Sequence, residues 1–551
     1  MGKTIDVLVS VIGSPWHVYP DKMRWYEAKY EFSDDVECVD GKPDYVRSRT
    51  TLAALHECLK PQHVIVVAQD TILVKNPEEL KGDYSYDDVI RDVENIVEEF
   101  LKRACMKVER GGEVRNGNIY DEVGSKLSII VAPGSGKFKN SMLVGAKQVT
   151  VDLEVCGSLE DYYSYLLLSL ASHMLAIIER EGPLSQLKVH LDLSHGINYM
   201  PALTYKAVTD LLPVIAAYIG ERDVTVKLST YNSEPVLKDE DTSVIHRVEE
   251  LKVREGGNFG LIPGYEIPSQ RKPRSKPRLL TLNEYCAEKA GLNKVEEPGR
   301  RIESISGELV DRLNIDGGRL SAFAGSLANG LPLLLLETMP TTRLRDYVEQ
   351  LLCEYRRNVL VNFNVRSSNE VDVKMLRLAR LRRSTVAVAK ILLASELIRS
   401  RPELANIRYG DDGVSLRDLS SLAGIAFTWN KRLQLTTSYE LKNIERRVNH
   451  MRNQGRLSVG NWTRYADVYT HEPGESCELE VGEPARSTCE CNILKESDEQ
   501  RHFLQHSGLH RCIVMVKVQD GDVWLKYDFD LCKELREKVY EVACRGLVRV
   551  T

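Results

Sequence analysis

Leu187-Lys188-Val189-His190-Leu191-Asp192-Leu193 runs directly into Ser194-His195-Gly196-Ile197-Asn198-Tyr199-Met200-Pro201. The first seven residues read as a strand. The polar, glycine-containing stretch after them reads as a loop leading into a helix over Pro201 to Ile219. The same unit recurs on either side. Further strands are expected at Ile5 to Ile12, His63 to Val67, Leu127 to Ala132 and Val224 to Thr230. Helices are expected at Thr50 to Leu59, Tyr86 to Cys105 and Leu159 to Arg180. Ile5 to Ile12 is almost continuously apolar, as a strand covered on both faces must be. Strand, loop and helix repeating over about 230 residues predict a doubly wound, Rossmann-like α/β domain with a mainly parallel sheet. Ser243 to Val253 reads as its last strand.

Such sheets bind ligands outside the C-terminal ends of their strands. The loops expected there are Gly13-Ser14-Pro15-Trp16, Ser48-Arg49-Thr50-Thr51, Pro133-Gly134-Ser135-Gly136-Lys137 and Ser194 to Pro201. Glycines let backbone N–H groups approach a phosphate, and a helix N-terminus adds a favourable dipole. Each loop alone is an ordinary turn; together they point to a nucleotide-like ligand. The candidate contacts are Ser14, Trp16, Thr50, Gly134, Ser135, Gly136, His195, Gly196, Ile197 and Asn198. No GxGxxG or Walker Lys-Ser/Thr pattern is present, which disfavours NAD binding and ATP hydrolysis.

Near the other end stands Arg501-His502-Phe503-Leu504-Gln505-His506-Ser507-Gly508-Leu509. A His moves protons near neutral pH, and an always-charged Arg stabilises a phosphate as negative charge grows on it. Positions five apart on a helix point about 140° from each other, so Arg501 and His506 would not meet mid-helix. Gly508 is a helix stop, and His506 is therefore expected in a last turn whose ending re-aims it. Spacing alone allows the plainer reading of a solvated Arg and a capping His.

Between these ends the pattern changes. Residues 256–303 are expected to be a linker, with Gly256-Gly257 and the basic, proline-rich run Ser269 to Arg278. A solvated linker is the plainer reading of that run than an RNA contact. It is not expected to let the two halves share a core. From Ser304 onward, helices are expected at Ile305 to Leu313, Gly317 to Leu327, Thr342 to Arg357, Val371 to Arg399, Ser415 to Asn430 and Tyr439 to Asn453. Ile513 to Val518 and Val523 to Tyr527 flank Asp520-Gly521 and predict a hairpin with a type I′ turn, before a terminal helix from Asp530 to about Arg545.

His471 to Asn492 interrupts the bundle. His471, Cys477, Cys489 and Cys491 could ligate zinc but lack a CxxC knuckle; a disulfide is the preferred reading, and reduced thiols stay open. The other nine cysteines, including Cys38, Cys58, Cys156 and Cys286, read as small buried hydrophobes. With 74 basic and 80 acidic residues the chain is not built to be coated in nucleic acid. The longest apolar run, Tyr162 to Ile178, is broken by Ser164, Ser169, Ser172 and His173, too polar for a membrane span. No stretch has signal-peptide order, so a soluble, cytoplasmic protein is expected.

Gly13 to Trp16 with Trp25 and Tyr30, together with Asp192 to Pro201, resembles the CARF domain of CRISPR-associated ribonucleases of type III systems. Ser194 stands where that family commonly has Thr. Arg501 to His506 resembles the HEPN ribonuclease motif of the same proteins, with His502 where a polar residue, often Asn, is usual. Leu327-Ala328-Asn329-Gly330-Leu331-Pro332-Leu333 resembles the start of their helical half.

The resemblance implies a CARF domain over 1–255, the linker, and a mainly helical HEPN domain over 304–551 carrying the hairpin. It implies a metal-independent endoribonuclease acting on single-stranded RNA, with Arg501, His506 and His502 as its catalytic residues. The expected activator is cyclic oligoadenylate, cyclic tetra-adenylate first, bound by a homodimer or an oligomer of dimers. No cofactor, metal or membrane partner is expected. Two alternatives are a CARF domain that degrades its own activator and a nuclease-dead sensor. The intact Arg501/His506 pair argues against the latter.

Overall fold

The structure is a computed structural model. It describes residues 2–13, 27–80, 84–104, 107–110, 112–116, 126–144, 147–197, 199–219, 224–235, 241–255, 258–259, 266–268, 276–292, 297–407, 409–469, 493–532 and 534–550. Five neighbouring strands form its N-terminal core: Thr225–Ser233, Leu184–Asp192, Lys3–Val11, His63–Gln69 and Leu127–Ala132, all parallel in that order. Val7 lies opposite Val189 and Val9 opposite Leu191, so the apolar runs stack in register. Ile5, Val7, Val9 and Val11 share a core with helices Leu159–Glu181 and Tyr199–Tyr218. Leu8, Val64, Val66 and Ala68 share the opposite core with helices Thr51–Leu59 and Tyr86–Ala104. This is the doubly wound arrangement, and burial on both faces explains the nearly unbroken apolar run of His63–Gln69, whereas Leu184–Asp192 alternates, with Lys188, His190 and Asp192 between Leu187, Val189 and Leu191.

The run of parallel neighbours breaks at Thr225–Ser233 and returns only where Thr242–Glu255 meets Ala28–Phe32. Thr242–Glu255 pairs with Thr225–Ser233 antiparallel, and Ala28–Phe32, Val46–Ser48, Lys107–Arg110 and Glu113–Asn116 continue the sheet outward. The expected mainly parallel sheet is therefore a mixed one, parallel over the five strands at one end.

The described parts of the expected linker carry strands and helices, while Gly256, Gly257 and residues 269–275 lie outside the described residues. Glu266–Pro268 pairs with Val548–Val550 at the C-terminus, and Leu280–Leu282 pairs with Ala379–Leu381. Helices Glu284–Lys289 and Glu297–Arg312 follow. Val371 to Arg399, expected as one helix, divides into a strand, Glu370–Arg377, and a helix, Arg383–Arg399. The strand's alternation of Val371, Val373 and Met375 inward, all buried, has the period of two that a sheet demands. It lies parallel to Lys147–Cys156 of the N-terminal half, in a four-stranded sheet completed by Gly136–Val144 and Val359–Ser367.

The two halves thus share a sheet, and they share a core as well. One contiguous cluster runs from Val7 and Leu167 through Leu309 and Phe323 to Leu392 and Phe503. The expectation of separate cores is overturned. Four cysteines expected as free hydrophobes are paired: Cys38 with Cys58, and Cys156 with Cys286. The second bond joins the shared sheet to helix Glu284–Lys289. Cys353 and Cys544 are free. Cys105 and the segment with His471, Cys477, Cys489 and Cys491 lie outside the described residues.

In the C-terminal half, helices Gly317–Asn329, Leu344–Arg357, Arg383–Arg399, Leu416–Ala426, Lys431–Asn453, Ser497–Gln505 and Leu535–Ala543 pack around small sheets. The hairpin forms as expected, Val514–Gln519 against Asp522–Tyr527. Asp520 at φ 52° and Gly521 at φ 82° supply the two left-handed residues of a type I′ turn. It is not a free-standing insertion, because Val414–Ser415 and Thr463–Arg464 extend it to four strands. The terminal helix is shorter than expected and ends at Ala543.

Candidate active site and ligand edge

Helix Ser497–Gln505 carries Arg501 and His502 on its exposed side and buries Phe503 completely. His506 is its C-cap, and two left-handed residues follow, Ser507 at φ 53° and Gly508 at φ 76°. Gly508 N–H returns to the Phe503 carbonyl at 2.8 Å and Ser507 N–H to Leu504 at 3.3 Å, the paired bonds of a Schellman ending. The helix thus stops one residue earlier than a Gly508 stop implies, and Ser507 takes the position usually given to glycine.

Three contacts hold this ending. Tyr527 donates its hydroxyl to the Gly508 carbonyl at 3.1 Å. The Thr437 and Ser507 hydroxyls lie 3.3 Å apart, and Thr437 also donates to the Gly330 carbonyl at 3.1 Å. His506 Nδ1 lies 3.2 Å from Glu440 Oε2. His506 remains 37% exposed, open to a substrate, while Glu440 is 17% exposed.

Two further imidazoles adjoin it. The His502 ring lies 4.3 Å from that of His506, and His510 lies 6.3 Å from His502. His502 is harder to protonate than an ordinary histidine, through partial burial first and then the charges of His506, Arg511 and Arg501. His510 is buried, and that burial pushes its pKa down to about 4. It is a neutral packing group that accepts a weak 3.4 Å bond from Cys512 N–H. Glu440 and His510 escaped the sequence reading. A Glu in an amphipathic helix far from the motif carries no local signal.

At the strand ends, the loops expected to gather do so. A Cβ on Gly13 would come within 3.2 Å of Gly196 N, so the first and fourth loops touch. Asp192 ties three segments together: Ser10 and Thr51 hydroxyls donate to Oδ2 at 2.8 Å each, and Ser194 N–H to Oδ1 at 3.0 Å. Thr50 caps helix Thr51–Leu59, its hydroxyl accepting from Ala53 N–H at 3.4 Å. His195 Nε2 is buried without a hydrogen bond to any described residue, and burial lowers its pKa. Gly196 stands at φ 109° and Ile197 packs on the core. Ser14, Trp16 and Asn198 lie outside the described residues.

The Gly134 loop differs from its expectation. Gly136 already opens a strand, leaving Pro133 to Ser135 as the loop. Gly134 N–H donates to Asp70 Oδ1 at 2.8 Å and Ser135 N–H to the Tyr199 hydroxyl at 3.3 Å. Both amides expected to face a phosphate are therefore engaged within the protein. Beneath them lies a fully buried network that the sequence did not reveal. Arg377, from the shared sheet, pairs with Asp70 and donates to the Gly134 carbonyl. Tyr86 donates to Asp70 Oδ2 at 2.7 Å, and its ring lies 5.7 Å from the Arg377 guanidinium carbon. Gln69 donates to the Tyr199 hydroxyl at 2.7 Å.

Comparison with known proteins agrees with both regions. Residues 7–235 match the family described as CRISPR system endoribonuclease Csx1, CARF domain. Residues 436–529 match the one described as CRISPR system endoribonuclease Csx1, HEPN domain. The molecule is thus of the CRISPR-associated class that joins a CARF domain to a HEPN domain in one chain. A relative from Methanocaldococcus jannaschii, CRISPR system endoribonuclease Csx1, is 26% identical over 420 residues, 76% of this chain and 74% of its own. The chain belongs to the Csx1 endoribonuclease family. Among the described residues, no helix is long and apolar enough to cross a membrane.

Proposed function

We propose that this protein cleaves single-stranded RNA in type III CRISPR immunity, without a metal, when cyclic oligoadenylate binds its CARF domain. The observation that carries the reading is the placing of Arg501 and a half-exposed His506 at one helix end, the HEPN motif standing open to solvent. In the reaction an RNA 2′-OH attacks its own 3′-phosphorus. The 2′-proton leaves to a base, the P–O5′ bond breaks, and the 5′-oxygen takes a proton. The products are a 2′,3′-cyclic phosphate and a 5′-OH. His506 serves as acid or base and Arg501 stabilises the charged phosphorane. His502, beside His506, orients the RNA.

One His506 is a sparse site for a reaction that moves two protons. Two copies facing across a two-fold axis would supply both groups, and the active unit proposed is a homodimer. A cyclic ligand with internal symmetry, cyclic tetra-adenylate first, suits the same axis at the ligand edge.

The test is RNA cleavage with cyclic oligoadenylates of several ring sizes in excess EDTA. Cleavage that depends on one ring size, persists in EDTA, and falls about 10²–10⁴-fold in His506→Ala is expected. Activity that EDTA removes and Mg²⁺ restores, with the protein folded throughout, would overturn the metal-free mechanism.

A further inference from the structure

The acid–base reading leaves open which nitrogen of His506 meets the RNA. A neutral imidazole carries its proton on one nitrogen only, and the partner of the other nitrogen decides which. Among the described residues, Glu440 is the carboxylate paired with His506, through Nδ1. It stands on helix Lys431–Asn453, whose start is fixed by Asn430 accepting from Arg432 N–H and Leu433 N–H. One turn before it on the same face, Thr437 meets the hydroxyl of Ser507. Two residues of one rigid helix therefore address two successive residues of the motif's ending. That ending is held by Thr437 at the Ser507 hydroxyl and by Tyr527 at the Gly508 carbonyl, and the imidazole by Glu440.

Glu440 is itself mostly shielded, at 17% exposure, whereas the imidazole it holds is twice as open. A carboxylate on the protein side and an open edge on the other is the arrangement that orients a reacting histidine. The His502 ring, 4.3 Å away, offers a face and no carboxylate. It also lies on the same helix end as His506. An in-line displacement needs its base and acid on opposite sides of phosphorus, so His502 does not complete a pair with His506 of its own chain.

Resting on the ribonuclease reading, we propose that Glu440 is the positioning residue of His506, accepting from Nδ1–H so that Nε2 is presented to the RNA. Glu440 does not touch the reacting atoms. It fixes the ring's rotation and its tautomer, and without it the ring would turn and revert to the Nε2–H form common in water, which cannot act as base at that nitrogen.

The experiment compares Glu440→Ala, Glu440→Gln and Glu440→Asp with His506→Ala in the full-length protein, activated by cyclic tetra-adenylate. Expected is a loss of kcat of about 10–100-fold for Glu440→Ala, with KM for RNA within about twofold. Glu440→Gln keeps an acceptor oxygen and should lose less, and Glu440→Asp should lose least. Nitrogen-15 NMR of histidine-labelled protein reads the tautomer directly. The His506 signal, assigned by its disappearance in His506→Ala, should show Nδ1–H in the wild type and Nε2–H in Glu440→Ala. A merely structural Glu would not move that signal.

A Glu440→Ala kcat within twofold of wild type would overturn the inference, and so would a fall in kcat with the tautomer unchanged. Should Glu440→Ala fail to fold, Glu440→Leu, which also removes the acceptor, decides on the same two readouts. If His506→Ala itself cleaved at the wild-type rate, the ribonuclease reading would fail. Inactive His506→Ala beside fully active Glu440→Ala would remove only the role given to Glu440.

Discussion

The two regions that carry chemistry are built in opposite ways. The ligand edge rests on a network with no exposure at Asp70 and Arg377, where the two side chains pair with each other and even the Gly134 amide is bound. The motif ending stands at the surface, with Arg501 and His502 exposed and His506 held through its pair with Glu440. The first region is organised from within. The second leaves its proposed reacting groups open and fixes them from behind. Arg377 also belongs to a strand that follows the expected linker, so the foundation of the ligand edge is supplied by the other half of the chain.

The strongest way to break the contrast is to cut the buried pair. Arg377→Met leaves the Asp70 carboxylate buried without its cation and should destabilise the whole protein by about 3–5 kcal/mol. Asp70→Asn combined with Arg377→Met removes both charges and should recover much of that loss. Because both halves share one core, denaturant should unfold them together, and Arg377→Met should lower the common midpoint. A loss below about 1 kcal/mol, or a C-terminal half that unfolds unchanged while the N-terminal half melts early, would show that the network does not bind the two.

How much of this was legible follows from distance along the chain. His63–Gln69 announces itself because both its faces are buried along its whole length, and Lys3–Val11 and Leu184–Asp192 because their C-terminal halves are. Asp520-Gly521 fixes its hairpin within two residues. The shared sheet was hidden, because Glu370–Arg377 abuts a helix and its alternation merges with the helical pattern. The Asp70–Arg377 pair spans 307 residues and Cys156–Cys286 spans 130, separations over which no local pattern selects a partner. Arg501 and His506 could be singled out by their chemistry alone. Glu440, 66 positions before His506 (506 − 440), could be found only by folding.

A second contrast lies inside the catalytic ending, between the open His506 and the buried His510. The fold favours neutral His510, so its contribution is fully present above about pH 6.5 and is lost as pH falls toward about 4, where the folded group takes its proton. The whole loss is about 3 kcal/mol, of which about 2 kcal/mol should already be gone at pH 5. Urea unfolding of wild type and His510→Gln at pH 7 and pH 5 measures it. The variant should lose less stability over that interval whatever its stability at pH 7. Equal losses would mean that His510 does not govern the acid sensitivity of this end.

The smallest effect is expected at Ser507, and it sharpens the comparison most finely because two opposing terms meet in one residue. At φ 53° a serine is strained in the left-handed region, by about 1 kcal/mol relative to glycine. Its hydroxyl also meets Thr437 inside the protein, a bond of about 0.5–1.5 kcal/mol. Ser507→Gly removes the strain and the bond together, so stability should change by less than about 1 kcal/mol in either direction. Thr437→Val removes the bond, strands the Ser507 hydroxyl and the Gly330 carbonyl, and leaves the strain, and it should cost about 1–2 kcal/mol. If Glu440 holds the imidazole while Thr437 holds only the Ser507 hydroxyl, both variants should keep kcat within a few-fold of wild type. A Ser507→Gly protein as stable as wild type yet as slow as Glu440→Ala would show that the serine hydroxyl, and not only the turn it makes, sets the position of His506.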